Sequence, residues 1–131
     1  MTYLLDTGVW LWSVGEPTRI SPKAREVIVD VKQDVFLSAA TSWEVAIKAS
    51  SGKLHLPEPP DLFVPRRMAS QGLRGLAVSH QHALTAFALP VHHRDPFDRL
   101  LIAQAQVEDM TLITADRMFD RYPVKVLWAG R

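Results

Sequence analysis

Short runs of apolar and β-branched residues alternate with helix signals along the whole chain, and this alternation restricts the possible folds more than any other feature. Five runs have the composition of strands: TYLL, VFLSA, LRGLAVS, TLITAD and VKVLW. Strands that alternate with helices are typical of a parallel sheet covered by helices. A chain of 131 residues has room for one such core. We therefore predict one domain over residues 1–131 with an α/β fold, a three-layer α/β/α sandwich around a mainly parallel, twisted sheet.

Two helices have clear first residues. Ser21 followed by Pro22 predicts a helix start, because Ser accepts hydrogen bonds from free backbone N–H groups and Pro has none to leave unpaired. Asp95 followed by Pro96 predicts a second start, and that helix should run to about Asp109. The Asp95 side chain is thus explained as a helix cap.

The middle of the chain carries a capping-box spacing and a proline-rich stretch. In TSWEVAIKASSGK, Thr41 and Glu44 have the spacing of a capping box, which predicts a helix that starts at Thr41 and stops at Gly52. The next stretch, LHLPEPPDLFVP, contains four prolines. We predict an irregular connection there, followed by a helix over RRMASQG.

Three acidic residues follow predicted strands. Asp6 comes directly after TYLL, Asp116 follows TLITA, and Glu44 lies a few residues past VFLSA. Ligands of open α/β sheets bind beyond the carboxyl ends of the strands, so these positions are candidates for function. Each also has a structural interpretation: Asp6 and Asp116 as turn or cap residues, and Glu44 as a capping-box residue or as the ion-pair partner of Lys48.

Asp98 differs because of the residues that follow it. At helical spacing, Leu101, Ile102 and Ala105 share its row, so Asp98 begins the apolar stripe that faces the sheet. The helix N-terminus stabilises a carboxylate by about 0.3–1 kcal/mol. Burial of an unpaired charge costs more than this, whereas a bound cation would compensate it. We predict that Asp95 begins the helix and that Asp98 binds a metal ion.

Several acids at one sheet edge repel each other unless a divalent cation neutralises them. The four predicted members of this acidic cluster are Asp6, Glu44, Asp98 and Asp116. Oxygen ligands in a chain without cysteine favour Mg²⁺ or Mn²⁺ over zinc.

The histidines carry little functional signal in the sequence. His92 and His93 are adjacent, so their side chains should point apart and make a poor pair of metal ligands. We expect His55, His80 and His82 at the surface or partly buried. The motifs HExxH, GxSxG, GxGxxG and the P-loop do not occur in the sequence.

Four pieces of sequence, YLLDTGVWLW, TSWEVAIK, DRLLIAQA and TLITAD, occur in an order that resembles the PIN-domain nucleases over essentially the whole chain. The block HHRDPFDRLLIAQA is similar to VapC-type toxins of bacterial toxin–antitoxin pairs. The resemblance implies a Mg²⁺-dependent endoribonuclease that arrests translation and is neutralised by a cognate antitoxin. The catalytic and metal-binding residues that it implies are Asp6, Glu44, Asp98 and Asp116, with Thr7 as a hydroxyl neighbour and Asp95 as the alternative for the third position.

The implied chemistry is metal-assisted hydrolysis of RNA. One or two Mg²⁺ ions, with Mn²⁺ as a substitute, would activate water and stabilise negative charge on the scissile phosphodiester. In-line attack would leave a 5′-phosphate and a 3′-hydroxyl. The basic residues expected to hold RNA phosphates are Lys48, Arg94, Arg99 and Arg117. A net charge of +1 does not itself indicate a nucleic-acid-binding protein, but metal binding by the acids would leave a more basic surface.

The predicted partners are the RNA substrate, a cognate antitoxin and a second copy of the chain in a homodimer. We expect the antitoxin to dock on an exposed apolar patch with a basic rim. The patch would comprise Trp10, Trp12, Leu56, Leu62 and Phe63, with Arg66 and Arg67 at its rim. The sequence shows neither a basic leader nor an apolar run near the roughly 20 residues that span a bilayer. We therefore expect no membrane association and a cytoplasmic location.

Two other functions compete with the nuclease. LLDTG is also the signature of retroviral-type aspartic proteases, in which two copies of Asp6 would share a proton. Such proteases are almost all β, and the predicted helices oppose that interpretation. A non-catalytic module with the same α/β fold is the third hypothesis, which the set of four mutually repelling acids disfavours.

Overall fold

A computed structural model describes residues 1–131 and contains a five-stranded sheet in which all neighbouring strands are parallel. The strands are β1 (Thr2–Leu5), β2 (Asp34–Ser38), β3 (Arg74–Leu76), β4 (Thr111–Thr114) and β5 (Val126–Trp128). The helices are α1 (Thr7–Gly15), α2 (Pro22–Val29), α3 (Ala39–Ser50), α4 (Pro60–Gln71), α5 (His80–Ala88) and α6 (Pro96–Glu108), with 3-10 turns at Pro17–Arg19 and Arg117–Arg121. The predicted α/β fold is confirmed.

The order of the strands places β1 at the centre of the sheet. The order is β3-β2-β1-β4-β5, and Tyr3 pairs with Val35 on one side and with Thr111 on the other. The chain builds the sheet outward from β1 in one direction and then returns to add β4 and β5 on the opposite side. The strand order therefore reverses between β1 and β4, where open α/β sheets bind their ligands.

Alternation along the central strands produces a core on each face of the sheet. Tyr3 and Leu5 pack in a core with residues of α1, α2, α3 and α4, whereas Leu4 packs in a second core with residues of α6. Successive strand residues point to opposite faces, so a strand covered on both sides is apolar throughout. Helices on both faces make the three layers that the sequence predicted.

The capping box predicted at Thr41 is wrong. Strand β2 leads directly into α3, and the hydroxyl of Ser38 accepts the N–H of Ala40 at 3.0 Å, so the helix begins at Ala39. Thr41 is therefore inside the helix, and its buried hydroxyl lies 2.9 Å from that of Thr7. Glu44 therefore has no capping role. It lies in the second turn of α3, near the carboxyl edge of the sheet.

The proline-rich stretch is more helical than predicted. Helix α4 begins at Pro60 and continues through Pro65, although a proline inside a helix costs about 3 kcal/mol. Phe63 and Val64 are buried in the first core, and their burial compensates that cost. Gly72, with a φ of 68°, ends the helix in a left-handed conformation that glycine adopts without strain.

The docking patch predicted from aromatic residues is largely absent. Trp10 is fully buried, packs edge-to-face on Phe63 at 6.2 Å, and donates its Nε1–H to Gln71 at 3.0 Å. Trp12 is half-buried beneath the guanidinium of Arg19. Trp12 is the better exposed of the two Trp residues, but Arg19 covers it, and Phe63 is buried, so the patch loses its aromatic members.

His82 is buried rather than superficial, which corrects another expectation. Its Nδ1 accepts the N–H of Ser79 at 3.0 Å, and its Nε2 lies 2.7 Å from the carboxylate of Glu108. Gln104 of α6 also contacts the ring. His82 thus connects α5 to α6 and has a structural role.

Arg99 anchors the segment that leads into α6. Its guanidinium donates to backbone oxygens at the C-terminal end of α5 and in the following loop, a position where cations are favoured. The acceptors are the carbonyls of Ala86, Phe87, Leu89, Pro90 and His93. Arg99 is therefore committed within the fold, and the prediction that it holds RNA phosphates is wrong.

No helix of the structure is both long and apolar enough to cross a bilayer.

Candidate active site

The carboxyl edge of the sheet gathers the predicted acids from four different elements. Asp6 follows β1 and Asp116 lies two residues beyond the adjacent β4. Glu44 comes from the second turn of α3, and Asp98 from the first turn of α6. Each of Asp6, Glu44 and Asp116 is close enough to raise the pKa of Asp98 by its charge.

Asp6 is a buried acid at the end of β1. It is 8% exposed, and its Oδ2 accepts the hydroxyl of Thr114 at 2.8 Å. Burial is the largest cause that raises the pKa of Asp6, the hydrogen bond from Thr114 opposes it, and with the charges of Asp116 and Glu44 the pKa is about 6. Thr114 also accepts the backbone N–H of Asp116 at 3.0 Å, so it links the two acids.

Asp98 begins the apolar row of α6 as the sequence predicted. Leu101, Ile102 and Ala105 are almost fully buried along the same row. Burial, together with the charges of Asp6, Asp95, Glu44 and Asp116, raises the pKa of Asp98 to about 8. The Asp98 carboxylate is therefore stabilised by a nearby cation more strongly than an exposed carboxylate would be.

His93 stands between two of the acids. Its Nε2 is 3.0 Å from Oδ2 of Asp98 and 3.0 Å from Oδ2 of Asp116. One ligand atom from each of these three residues lies within 4.8 Å of the others, a grouping of which Asp6 and Glu44 are not part. The other oxygen of Asp116 accepts the N–H of Met118 at 3.0 Å, so Asp116 is also the helix cap that the sequence suggested.

Glu44 is buried with one oxygen paired and the other free. Its Oε2 lies 2.8 Å from Nζ of Lys48, the ion pair that the spacing of four indicated. Its Oε1 is buried and has no hydrogen-bond partner. The hydrogen bond to Glu44 raises the pKa of Lys48, as do the charges of Asp95 and Asp98. Glu44 therefore keeps one unused acceptor at the carboxyl edge of the sheet. A buried carboxylate oxygen without a partner costs folding free energy.

Asp95 has the structural role predicted for it. Its Oδ1 accepts the backbone N–H groups of Phe97 and Asp98 at 2.9 and 3.1 Å, which caps α6. Its charge nevertheless acts on Asp98.

The basic residues near the site differ in how free they are. Lys48 is paired with Glu44, and the guanidinium of Arg117 lies over the ring of Trp128 at 4.3 Å. Arg94 is exposed and its side chain forms no ion pair. Arg94 and the outer face of Arg117 are therefore the cations most available to a ligand.

Sequence analysis missed His93 and Thr114. Adjacent histidines do point apart: the ring of His92 packs on Tyr122 at 5.3 Å, while His93 turns into the site. The divergence of the two rings rules out a pair of ligands, but it leaves either histidine free to enter the site alone. The position of Thr114 at the end of a strand, two residues before Asp116, was the signal that could have identified it.

Comparisons with known proteins identify the family of the chain. A family model described as the PIN domain matches residues 3–125. Ribonuclease VapC22 of Mycobacterium tuberculosis is 34% identical over 118 residues, which is 88% of both chains. Ribonuclease VapC16 of the same organism is 43% identical over 60 residues, and the match spans 46% of this chain and 43% of the relative.

Solved structures share the fold. The crystal structure of VapBC2 from Rickettsia felis bound to a DNA fragment from their promoter contains a chain with a TM-score of 0.74 at 16% identity, over 99% of this chain and 100% of that one. A chain in the DNA-bound VapBC from Salmonella typhimurium has a TM-score of 0.74 at 20% identity, over 98% of each chain. From its sequence match and its three-layer parallel fold, the chain belongs to the PIN-domain family and is homologous to the VapC ribonucleases of M. tuberculosis.

Proposed function

We propose that the protein is a Mg²⁺-dependent endoribonuclease and acts as the toxin of a toxin–antitoxin pair in the cytoplasm. The observation that carries this proposal is the concentration of four carboxylates at the switch point of the sheet, with the pKa of Asp98 raised to about 8. Repulsion between carboxylates does not stabilise a fold, so we attribute this group of acids to the binding of a ligand. The homologous VapC16 and VapC22 are named ribonucleases, which makes RNA the substrate that we propose.

The donor set fits a hard divalent cation. The donors are carboxylate oxygens, the ligand atoms that Mg²⁺ prefers. Among them, Glu44 Oε1 is buried without a hydrogen-bond partner, so it is available to bind a metal ion. Asp6, Glu44, Asp98 and Asp116 are the residues that would hold Mg²⁺, or Mn²⁺ in its place, and they are the proposed catalytic residues. When bound, the ion lowers the pKa of water and offsets the charge of the phosphodiester under attack.

The residues of the chain hold this site in position. Thr114 orients Asp6 and the backbone of Asp116 through hydrogen bonds of 2.8 and 3.0 Å. Lys48 binds one oxygen of Glu44 and leaves the other free. Arg94 is exposed and lies close in sequence to His93 and Asp98, and it is the proposed contact for RNA phosphates.

An antitoxin is the proposed protein partner. Several proteins of the same fold were solved as VapBC complexes, which supports a partner of that kind for this chain. A basic side chain of the antitoxin entering the acidic cluster would neutralise it as a metal ion does, and this would abolish activity.

A homodimer is the other proposed assembly. Leu84 and Phe87 are 69% and 86% exposed and lie three residues apart on α5, and Val91, 71% exposed, follows in the turn after the helix. No Asp, Glu, Lys or Arg occurs from His80 to Val91. A second copy could therefore pack on this face by two-fold symmetry without charge repulsion.

The competing functions have less support. Retroviral-type proteases are almost all β, whereas the LLDTG segment here joins a parallel strand to a helix, which removes that interpretation. A non-catalytic module is compatible with the fold but gives no reason for the unpaired oxygen of Glu44.

The first prediction concerns catalysis. We expect purified protein to cleave RNA with Mg²⁺ or Mn²⁺ and to lose activity in EDTA, leaving 5′-phosphate and 3′-hydroxyl ends. Asp98→Asn should lower the rate at least about a hundredfold, because it removes a proposed metal ligand. Asp95→Asn is the matched control and should have a mild effect, since Asn caps a helix nearly as well. Cleavage in excess EDTA, or 2′,3′-cyclic phosphate products, would contradict the metal mechanism.

The second prediction concerns pH. The pKa of Asp98 is about 8 in the folded protein against an ordinary 3.8, so the folded state binds its proton more tightly. This contribution to stability is complete at low pH and is lost as pH rises through about 8. In EDTA, the Tm should fall from about pH 4 to about pH 8 and then level off, and Asp98→Asn should flatten that fall. Mg²⁺ should reverse the trend, because metal and proton compete. An equally steep fall in the Asn variant would refute the assignment.

The third prediction concerns the biological role. Expression of the wild-type chain in a bacterial host should arrest growth, and Asp6→Ala should not, because that variant lacks one of the proposed metal ligands. Co-expression of a small gene adjacent to it in its genome should restore growth. The Asp95→Asn variant serves as the toxic control. Equal growth with all of these variants would refute the toxin proposal, whereas RNA cleavage in vitro tests the ribonuclease activity independently.

The fourth prediction concerns the dimer. Light scattering should give twice the chain mass for the wild type and a monomer for Phe87→Glu, which places charge on both sides of the proposed two-fold contact. Leu62→Glu, at another exposed apolar residue, is the control and should remain dimeric. If Phe87→Glu stays dimeric but no longer binds the antitoxin, the α5 face is the antitoxin site instead.

A further inference from the structure

His93 is held in place by contacts that leave its ring little freedom. The hydroxyl of Tyr122 accepts the backbone N–H groups of His92 and His93 at 3.1 and 2.8 Å, and it donates to the carbonyl of Pro90. Arg99 binds the carbonyl of His93 at 3.2 Å. The ring itself packs on the edge of Phe119 at 5.7 Å. The backbone and one face of the imidazole are therefore fixed.

The two ring nitrogens have different neighbours. Nδ1 accepts the backbone N–H of Asp95 at 3.4 Å, so Nδ1 carries a lone pair and the ring proton is on Nε2. Nε2–H donates to Oδ2 of Asp116 at 3.0 Å and lies equally near Oδ2 of Asp98. A histidine that binds a metal through Nε2 needs the opposite tautomer and an acceptor for its Nδ1–H. Here Nδ1 faces a donor, which disfavours direct ligation.

We propose that His93 is a positioning residue, whose Nε2–H holds the carboxylates of Asp98 and Asp116 beside each other in the geometry that receives the metal ion. This inference rests on the proposed metal site. The carboxylates repel each other, and a single fixed N–H between them limits their separation. His93 remains a hydrogen-bond donor to the ligands after the ion binds and does not become a ligand. Loss of such a partner commonly weakens metal binding by about 10–100-fold.

The tautomer provides a test that does not need the metal. Long-range ¹H–¹⁵N spectra of the metal-free protein at about pH 8.5, where a free imidazole is neutral, should show His93 with its proton on Nε2. Addition of Mg²⁺ should leave that tautomer unchanged. A proton on Nδ1, either before or after Mg²⁺ is added, would overturn the proposal, because Nε2 could then not donate.

The affinity for Mg²⁺ and Mn²⁺, measured by calorimetry, tests the same role by mutation. His93→Ala should weaken both ions about 10–100-fold and to a similar extent. His93→Gln, whose amide N–H reaches a similar position, should restore most of the affinity for both. His92→Ala is the matched control, because this neighbour is exposed and points away from the site, and it should bind as the wild type does.

The other outcomes each overturn the proposal. A larger loss for Mn²⁺ than for Mg²⁺, without rescue by Gln, would identify His93 as a nitrogen ligand. Tighter binding by the Ala variant would mean that His93 competes with the ion. If the wild type binds neither ion, the proposed metal site fails, whereas the tautomer in the metal-free protein still reports on the positioning of the two carboxylates.

Discussion

Repulsion between carboxylates at the carboxyl edge of the sheet is the constraint on which the rest of the site depends. The strand order reverses between β1 and β4, so Asp6 and Asp116 must emerge side by side. Helices α3 and α6 then deliver Glu44 and Asp98 to the same edge. Burial and mutual repulsion together raise the pKa of Asp98 to about 8, so its charged form is costly in this site.

The fold limits that repulsion with neutral donors and one cation. Thr114 donates to Asp6, the N–H of Nε2 in His93 lies between Asp98 and Asp116, and Lys48 pairs with Glu44. None of these groups surrounds a carboxylate completely, and Glu44 keeps a buried free oxygen. The site is thus stable enough to fold and still has acceptors left for a ligand, a compromise that functional sites commonly make.

Much of this arrangement was predictable because it follows from local rules. Strands buried on both faces are apolar throughout, so β1 and β4 could be recognised from TYLL and TLIT, and the acids after them located the functional edge. The caps of α2 and α6 were predicted correctly at Ser21 and Asp95. The row behind Asp98 likewise indicated that this residue, rather than Asp95, faces inward.

The failures share a physical cause, which is that tertiary contacts override local signals. The Thr41 hydroxyl could have capped a helix, but Ser38 at the end of β2 starts α3 three residues earlier and leaves Thr41 to pair with Thr7. Trp10 was expected near the surface, yet Gln71 of a distant helix satisfies its indole N–H and allows full burial. Arg99 looked like a free cation beside the acids, but the end of α5 lies within its reach.

The loop before α6 shows why His93 in particular escaped prediction. Its orientation depends on Tyr122, some thirty residues away in sequence, and on Arg99, whose contacts form only when α5 packs against α6. Neither partner belongs to the acidic motif. The motif supplies the charges, whereas the surrounding fold decides which neutral groups approach them. Two chains with the same four acids could therefore differ in how these acids are arranged before a ligand binds, because the residues around the acids determine that arrangement.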